Sequence, residues 1–520
     1  MSVTAPTISW AGLSPVIVIL GAAVLGILLE AFVPRKARLA CQTGLGVLAI
    51  VGSAVALAAR WDAVRDGSGS ALTPGFNEDP FGVAAQGVML VIGLLAILVM
   101  ADRTSAGDGA FAAQAADRPG SAEEAESLHA GWMGTEVFPL MLFSLGGMML
   151  FPMASDFITL FVMLELISLP LYIMAATARH RRLLSQEAAM KYFVLGAFAS
   201  AFMLLGSAFL YGLTGQVSYS AVAQALGAGG VEGMDWLALA GVALVTVGLL
   251  FKIAAAPFHA WSPDVYQGSP TPVTAFMAAG VKAAAFLALL RFFYVAGAAL
   301  SWDVAPFLWT VSILTMFVGT VVGIVQGDIK RMLAYSAIAH AGYMLIGIVA
   351  LNQAGIRALL FYALAYGVAT VGAFGVVTLV RVDHDGAAGP EATDLEALTG
   401  LGRRSPWLAL SLTVFLLSFA GIPLTAGFIA KFELFVAGIG GGATWLVIAA
   451  VVSSAATAFF YMRVIVLMFF REPAQDRVVV VTSNGLSSTA IGVAVLLTIA
   501  LGVVPQTVLA TLGNAAMLVP

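Results

Sequence analysis

The sequence runs to 520 residues, 61% hydrophobic and only 10% charged, with a formal net charge of -4. Soluble globular chains carry roughly 25% charged residues, so most of this surface must face lipid, and the charge balance gives no footprint for nucleic acid. One cysteine, Cys41, excludes an internal disulfide, an iron–sulfur site or a structural zinc site, and five histidines, of which only His259 and His340 lie in or near apolar segments, leave haem pairs unsupported.

About twenty apolar residues cross a bilayer as a helix, and unsatisfied backbone groups forbid irregular spans in lipid. The windows fall near 10–33, 39–60, 81–101, 136–153, 157–178, 187–212, 235–257, 270–297, 306–327, 332–351, 356–381, 406–435, 442–469 and 487–509. The first is too long for a signal-peptide core and ends on Pro34-Arg35-Lys36-Ala37-Arg38, so it reads as a retained span. The expectation is an all-α membrane protein of about fourteen helices forming one polytopic domain, 1–520. Two segments rich in Ala, Gly, Asp and Glu, 102–135 and 382–405, read as polar cytoplasmic loops.

Arginine and lysine fix the orientation. With the N-terminus outside, sixteen fall on the inner side: Arg35, Lys36, Arg38, Arg103, Arg118, Arg179, Arg181, Arg182, Lys330, Arg331, Arg381, Arg403, Arg404, Arg463, Arg471 and Arg477. Four fall outside: Arg60, Arg65, Arg291 and Arg357. Both termini then lie on the outer side of a bacterial inner membrane. Helices four to eight (136–297) and nine to thirteen (306–469) make two sets of five, and an odd number inverts the second set relative to the first. Ala284 to Arg291 and Ala456 to Arg463 echo one another in small residues, aromatics and a terminal arginine.

Four of the twenty-four cations remain, all lysines inside apolar windows: Lys191, Lys252, Lys282 and Lys431. A lysine at the bilayer centre costs about 2.5–3.5 kcal/mol even on lenient insertion scales. A buried amine has a proton affinity that burial and a nearby carboxylate shift in opposite directions, so a lysine facing a changeable carboxylate is a proton switch. Glu165, the one acid with long apolar runs on both sides, is the natural partner; the alternative is a structural ion pair, which one acid cannot supply to four lysines.

Lys252 precedes Pro257 by five residues and His259 by seven, so the seventh helix is expected to break beside a charge. Snorkelling to the inner surface is the competing reading. His259 reads equally as a proton relay or as an ordinary hydrogen-bonded interface histidine. Lys282 sits mid-helix among Ala278, Ala279, Gly280 and Ala283, where small residues leave room for close packing and water. Lys431 follows Gly421-Ile422-Pro423, a second interruption, in helix twelve; Glu433 lies on another face. Lys191 has Glu187 at i−4 and reads as either a site or a surface pair. His340 reads as a relay between Lys282 and Lys431 or as a core histidine.

Several segments resemble the antiporter-type membrane subunits of respiratory complex I, the NADH–quinone oxidoreductase. They are Met153-Ala154-Ser155-Asp156-Phe157 leading to Glu165, Ala256-Pro257-Phe258-His259-Ala260-Trp261-Ser262-Pro263-Asp264, Ser269-Pro270-Thr271-Pro272-Val273 before Lys282, and Lys330-Arg331-Met332-Leu333-Ala334-Tyr335-Ser336 with His340. The resemblance implies discontinuous helices 7 and 12 and two inverted five-helix repeats. It makes Glu165 and Lys252 an ion pair, Lys282 the central proton site, Lys431 the site toward the periplasm and Lys191 a secondary site on the uptake side. The N type is favoured, since the M type carries a glutamate at the Lys431 position and the L type a long lateral helix that this chain is too short to hold. It also implies that other membrane subunits, further antiporter-like ones among them, are partners in a hetero-oligomer. FMN, iron–sulfur clusters and quinone would then sit in partner subunits and no cofactor in this chain. A D-type subunit of a multisubunit sodium/proton antiporter shares the pattern; a quinone- or haem-binding redox subunit and a passive anchor are the competing classes.

Overall fold

The computed structural model describes residues 7–66, 69–105, 108–114, 117–130, 132–228, 234–384, 387–472 and 478–519. Arg477, counted among the inner cations, lies outside them. The protein is mostly helical. Among the described residues twelve helices are long and apolar enough to cross a membrane, beginning with Trp10–Phe32 and ending with Leu486–Val503. Two shorter apolar helices, Val137–Met153 and Pro406–Ala420, accompany them. Each apolar window of the sequence holds helix.

The helices sort into a centre and a rim. Within the most apolar eighteen-residue stretch of each helix, every residue of Thr271–Val295 is buried, 94% of Gln353–Thr378 and 89% of Ile329–Val349, against 28% of Arg35–Val64 and 33% of Thr444–Phe470. Apolar side chains outside, such as Leu48 at 72% and Trp445 at 76% exposure, have no driving force toward the centre once lipid is the solvent. Gln353–Thr378 is the hub, packing against Pro80–Ala101, Thr271–Phe276, Pro406–Ala420, Ala426–Gly440 and Leu486–Val503.

Three interruptions matter. The helix Asp235–Lys252 stops, the chain turns through Ala254 at φ +57°, and the short helix Trp261–Gly268 resumes. Pro257 lacks the amide hydrogen needed to continue the first helix. The helix Pro406–Ala420 stops at Gly421 (φ +80°) and resumes at Ala426–Gly440. The third was not foreseen: Met277–Val281 forms a π-helical turn immediately before Lys282.

The polar loops carry more order than their composition suggests. Ala122–His129 is a helix with Glu123 and Glu124 in its first turn and the Ser121 hydroxyl accepting from the Glu124 amide, an N-terminal arrangement that favours a helix. Val380–His384 pairs antiparallel with both Ala387–Glu391 and Val478–Val480. Three of the cations counted for orientation are also buried and partnered. Arg291 is 1% exposed and paired with Asp79 at 2.8 Å. Lys330 is 2% exposed and donates to the Ser269 carbonyl at 2.8 Å. Arg381 is 3% exposed and donates to the Thr378 carbonyl. Lys330 starts a helix, Arg291 lies in the last turns of one and Arg381 lies on a strand just past one, and a window scan sees none of their buried partners.

Candidate functional site: a buried lysine–tyrosine–histidine core

Lys252 closes its half-helix, where the unpaired carbonyls favour a cation. Its amine, on a residue 3% exposed, donates to Ser168 Oγ at 2.6 Å and to Tyr172 OH at 3.5 Å, and lies 5.3 Å from the centre of the Tyr192 ring. The break is held from both sides. Trp261 Nε1 donates to the Phe251 carbonyl at 2.9 Å and the Ala256 amide donates to Thr315 Oγ1 at 2.9 Å.

Glu165 stands three residues before Ser168 on the helix Phe157–Ala175, and its Oε1 accepts from Ser200 Oγ at 2.5 Å. The two predicted partners are therefore not in ion-pair contact. Ser168 takes the amine and Ser200 takes the carboxylate, which leaves Glu165 half-buried on the adjoining face.

Lys282 is 1% exposed and its Nζ donates to the Ala337 carbonyl at 2.5 Å, with the Tyr366 ring centre 6.0 Å away. One turn beyond Ala337 on the same helix lies His340, 3% exposed. Its Nδ1 is 2.7 Å from Tyr362 OH and its Nε2 3.3 Å from Tyr461 OH, and Tyr461 OH is 2.5 Å from Ser336 Oγ. The His340 ring also lies 5.1 Å from that of Tyr366 and 5.6 Å from that of Phe419.

The carbonyl of Phe419 begins the next station. Lys431, 5% exposed, donates to Phe419 O at 2.8 Å, Ala420 O at 3.2 Å and Ser454 Oγ at 2.7 Å. Those carbonyls are free because the helix stops at Gly421, so the break creates the lysine's acceptors. Tyr343 places its ring 5.0 Å from the amine and its hydroxyl 3.1 Å from Ser453 Oγ. Glu433 pairs instead with Arg357 at 2.5 Å, as its helix face required.

Among the described residues, none of Lys252, Lys282 and Lys431 touches a carboxylate at ion-pair distance; hydroxyls and backbone carbonyls hold all three. A neutral acceptor takes a hydrogen bond from an ammonium or an amine alike, so these contacts survive loss of a proton.

Lys191 differs. It lies more than two turns into the helix Arg182–Thr214, its side chain is 40% exposed, and it meets both Glu187 and Asp264 at 2.7 Å. Asp264 in turn pairs with Arg331 at 2.7 Å. His259 sits in the seventh-helix break, half-buried and facing the backbone of Pro257, and does not contact Lys252, Lys282 or Lys431 among the described hydrogen bonds. Tyr362, Tyr366, Tyr461 and the serines were missed from sequence. The visible signal was Tyr362 and Tyr366 at i,i+4 in a long apolar run.

A family model described as "NADH:quinone oxidoreductase/Mrp antiporter, TM" matches residues 154–457. The chain is 51% identical to the NADH-quinone oxidoreductase subunit N of Beutenbergia cavernae, with 100% of each chain covered. It is 48% identical to that of Mycobacterium tuberculosis, again over 100% of both. Among solved structures it is similar to a chain of respiratory complex I from Thermus thermophilus, at 33% identity and a TM-score of 0.75, covering 96% of this chain and 99% of that one. A chain of the Mrp complex from Dietzia shares the fold, at 21% identity and a TM-score of 0.77, covering 98% of this chain and 97% of that one.

Proposed function

This chain belongs to the NADH:quinone oxidoreductase/Mrp antiporter membrane family, and from that premise we propose that it carries protons through the membrane arm of a quinone-reducing respiratory complex along Lys252, Lys282, His340 and Lys431. The relatives that match end to end at about half identity are named subunit N of that complex, which favours it over the antiporter alternative. The observation that carries the reading is the core itself. Three buried amines without a touching counter-charge are strung along neutral acceptors, with a histidine and four tyrosines between the second and third. An anchoring helix bundle would be more stable with leucine at each of those positions.

In this scheme Glu165, held by Ser200, acts on Lys252 through space, and the Lys191–Asp264–Arg331 cluster forms the uptake side. The chain performs no redox chemistry; electrons pass through FMN, iron–sulfur clusters and quinone in partner subunits of the hetero-oligomer. It crosses a bacterial inner membrane fourteen times with both termini outside, in two inverted five-helix repeats, 136–297 and 306–469. Two features support the repeats. The fourth helix of each set is the one that breaks beside a lysine. The arginine closing each set reaches back to the first helix: Arg291 Nε donates to Pro152 O at 2.5 Å, and Arg463 donates to Ile324 O and Gln326 O at 3.3 Å.

The test is the proton-to-electron ratio of the intact complex in proteoliposomes carrying Lys282→Ala or Glu165→Gln. The ratio falls in both while the complex assembles and reduces quinone. Wild-type ratios with Lys282→Ala would overturn the reading.

A further inference from the structure

Away from the lysine core, a cavity of about 540 Å³ opens where Trp10–Phe32 and Pro80–Ala101 end and where Arg35–Val64 and Val137–Leu150 begin. Its charged and polar lining includes Arg35, Lys36, Arg38, Arg103, Glu30 and Glu136, with Trp132 at its wall. These charges are unequally occupied. Glu30 is already satisfied: it accepts from Arg38 at 3.0 Å, from Gln42 at 3.0 Å and from Thr135 at 2.8 Å. Among the lining residues this leaves Arg35, Lys36 and Arg103 against the one further acid Glu136, an excess of positive charge. Arg35 stacks on Trp132 with its guanidinium carbon 4.3 Å from the ring centre. Arg103 holds a buried Nε that makes no hydrogen bond, and a buried donor left unmet costs roughly 1–3 kcal/mol.

We propose that this cavity binds the phosphate headgroup of an anionic membrane lipid, held by Arg35, Lys36 and Arg103. Guanidinium groups meet phosphate through paired charge-assisted hydrogen bonds, and basic pockets between spanning helices are suited to anionic headgroups. A free phosphate would use the same cations. The lipid is favoured because the helix beneath the cavity turns apolar side chains outward: Phe32 is 83% exposed, Leu25 53% and Leu28 48%, a surface on which an acyl chain can lie. Trp132, 37% exposed, stands where an aromatic ring marks the interface. This inference rests on the membrane reading and not on the proton path, so the two fail separately.

The test is thermal unfolding of the full chain in a neutral detergent, titrated with phosphatidylglycerol, phosphatidylcholine or inorganic phosphate at equal phosphorus. Phosphatidylglycerol raises the unfolding temperature of the wild type and the other two do not. Arg35→Ala combined with Lys36→Ala, both exposed at a helix start, weakens the apparent affinity for phosphatidylglycerol about thirtyfold; Arg103→Gln weakens it independently. Equal stabilisation of wild type and both variants overturns the site. An equal response to phosphatidylcholine overturns the anionic requirement, and a response to inorganic phosphate alone overturns the lipid in favour of a free anion.

Discussion

Removing the Asp79 carboxylate should be among the most destabilising single changes in this chain. Asp79 is 0% exposed and makes three contacts: Oδ1 accepts from Arg291 Nη2 at 2.8 Å and from the Gly82 amide at 2.7 Å, and Oδ2 accepts from the Val519 amide at 3.0 Å. The Gly82 contact caps the helix Pro80–Ala101, and losing such a cap costs about 1 kcal/mol. The larger loss is Arg291, 1% exposed, which keeps its charge without a counter-charge; breaking a buried pair from one side costs about 3–5 kcal/mol. Asp79→Ala is therefore expected to lose about 4–6 kcal/mol. Asp79→Asn keeps the cap and loses the charge, so it should fall between alanine and wild type. Adding Arg291→Leu to Asp79→Ala should recover much of the loss, because no charge is then left stranded. Thermal unfolding of the four proteins in one detergent ranks them. A single Asp79→Ala that melts with the wild type, or a double variant no better than the single, would refute the reasoning.

Other expectations follow from single sites. Burial alone would raise the Asp108 carboxyl, but hydrogen bonds from His180 and Thr104 and the nearby Arg381 outweigh it and bring the group down to about 2. Its stabilising contribution is then present above the ordinary carboxylate range and lost as pH falls toward 2; the stability gap between wild type and Asp108→Asn should persist down to pH 5 and close only below about pH 4, and a gap closing near pH 6 would contradict this. Gly421→Ala forces a side chain into a left-handed backbone at φ +80°, at about 1–2 kcal/mol, and its Cβ would stand 3.0 Å from Lys431 Cδ. Both melting temperature and proton pumping should fall, whereas Gly442→Ala, at the same φ with open space around it, should lower stability alone. His340→Phe keeps an aromatic ring but not the hydrogen bonds to Tyr362 and Tyr461 and should lower the proton-to-electron ratio while quinone reduction persists.

Much of this was legible in the chain. Runs of twenty apolar residues need no tertiary information to be read as helices, because lipid imposes the same backbone requirement everywhere. The breaks beside Lys252 and Lys431 were announced by Pro257 and by Gly421 with Pro423. The π turn before Lys282 was not, since Met277, Ala278 and Ala279 are ordinary helix formers and the turn arises from packing. The burial of Arg291 and Lys330 was not legible, because a window scan sees a cation near a helix end and not the Asp79 or Ser269 that partners it. The expected Glu165–Lys252 ion pair failed at the last ångströms. Helix spacing set both residues at the right depth, but two serines on neighbouring faces took their places as partners.

The most direct measurement compares the proton-to-electron ratio of the reconstituted complex carrying Lys282→Arg with that of wild type. Arginine keeps the positive charge and the donor to Ala337 O yet does not release its proton. If the buried amine at 282 works by giving up and regaining a proton, the ratio drops as far as it does with Lys282→Ala while the complex remains assembled. An arginine variant that pumps like wild type would show that the charge, and not its proton, is what the position requires.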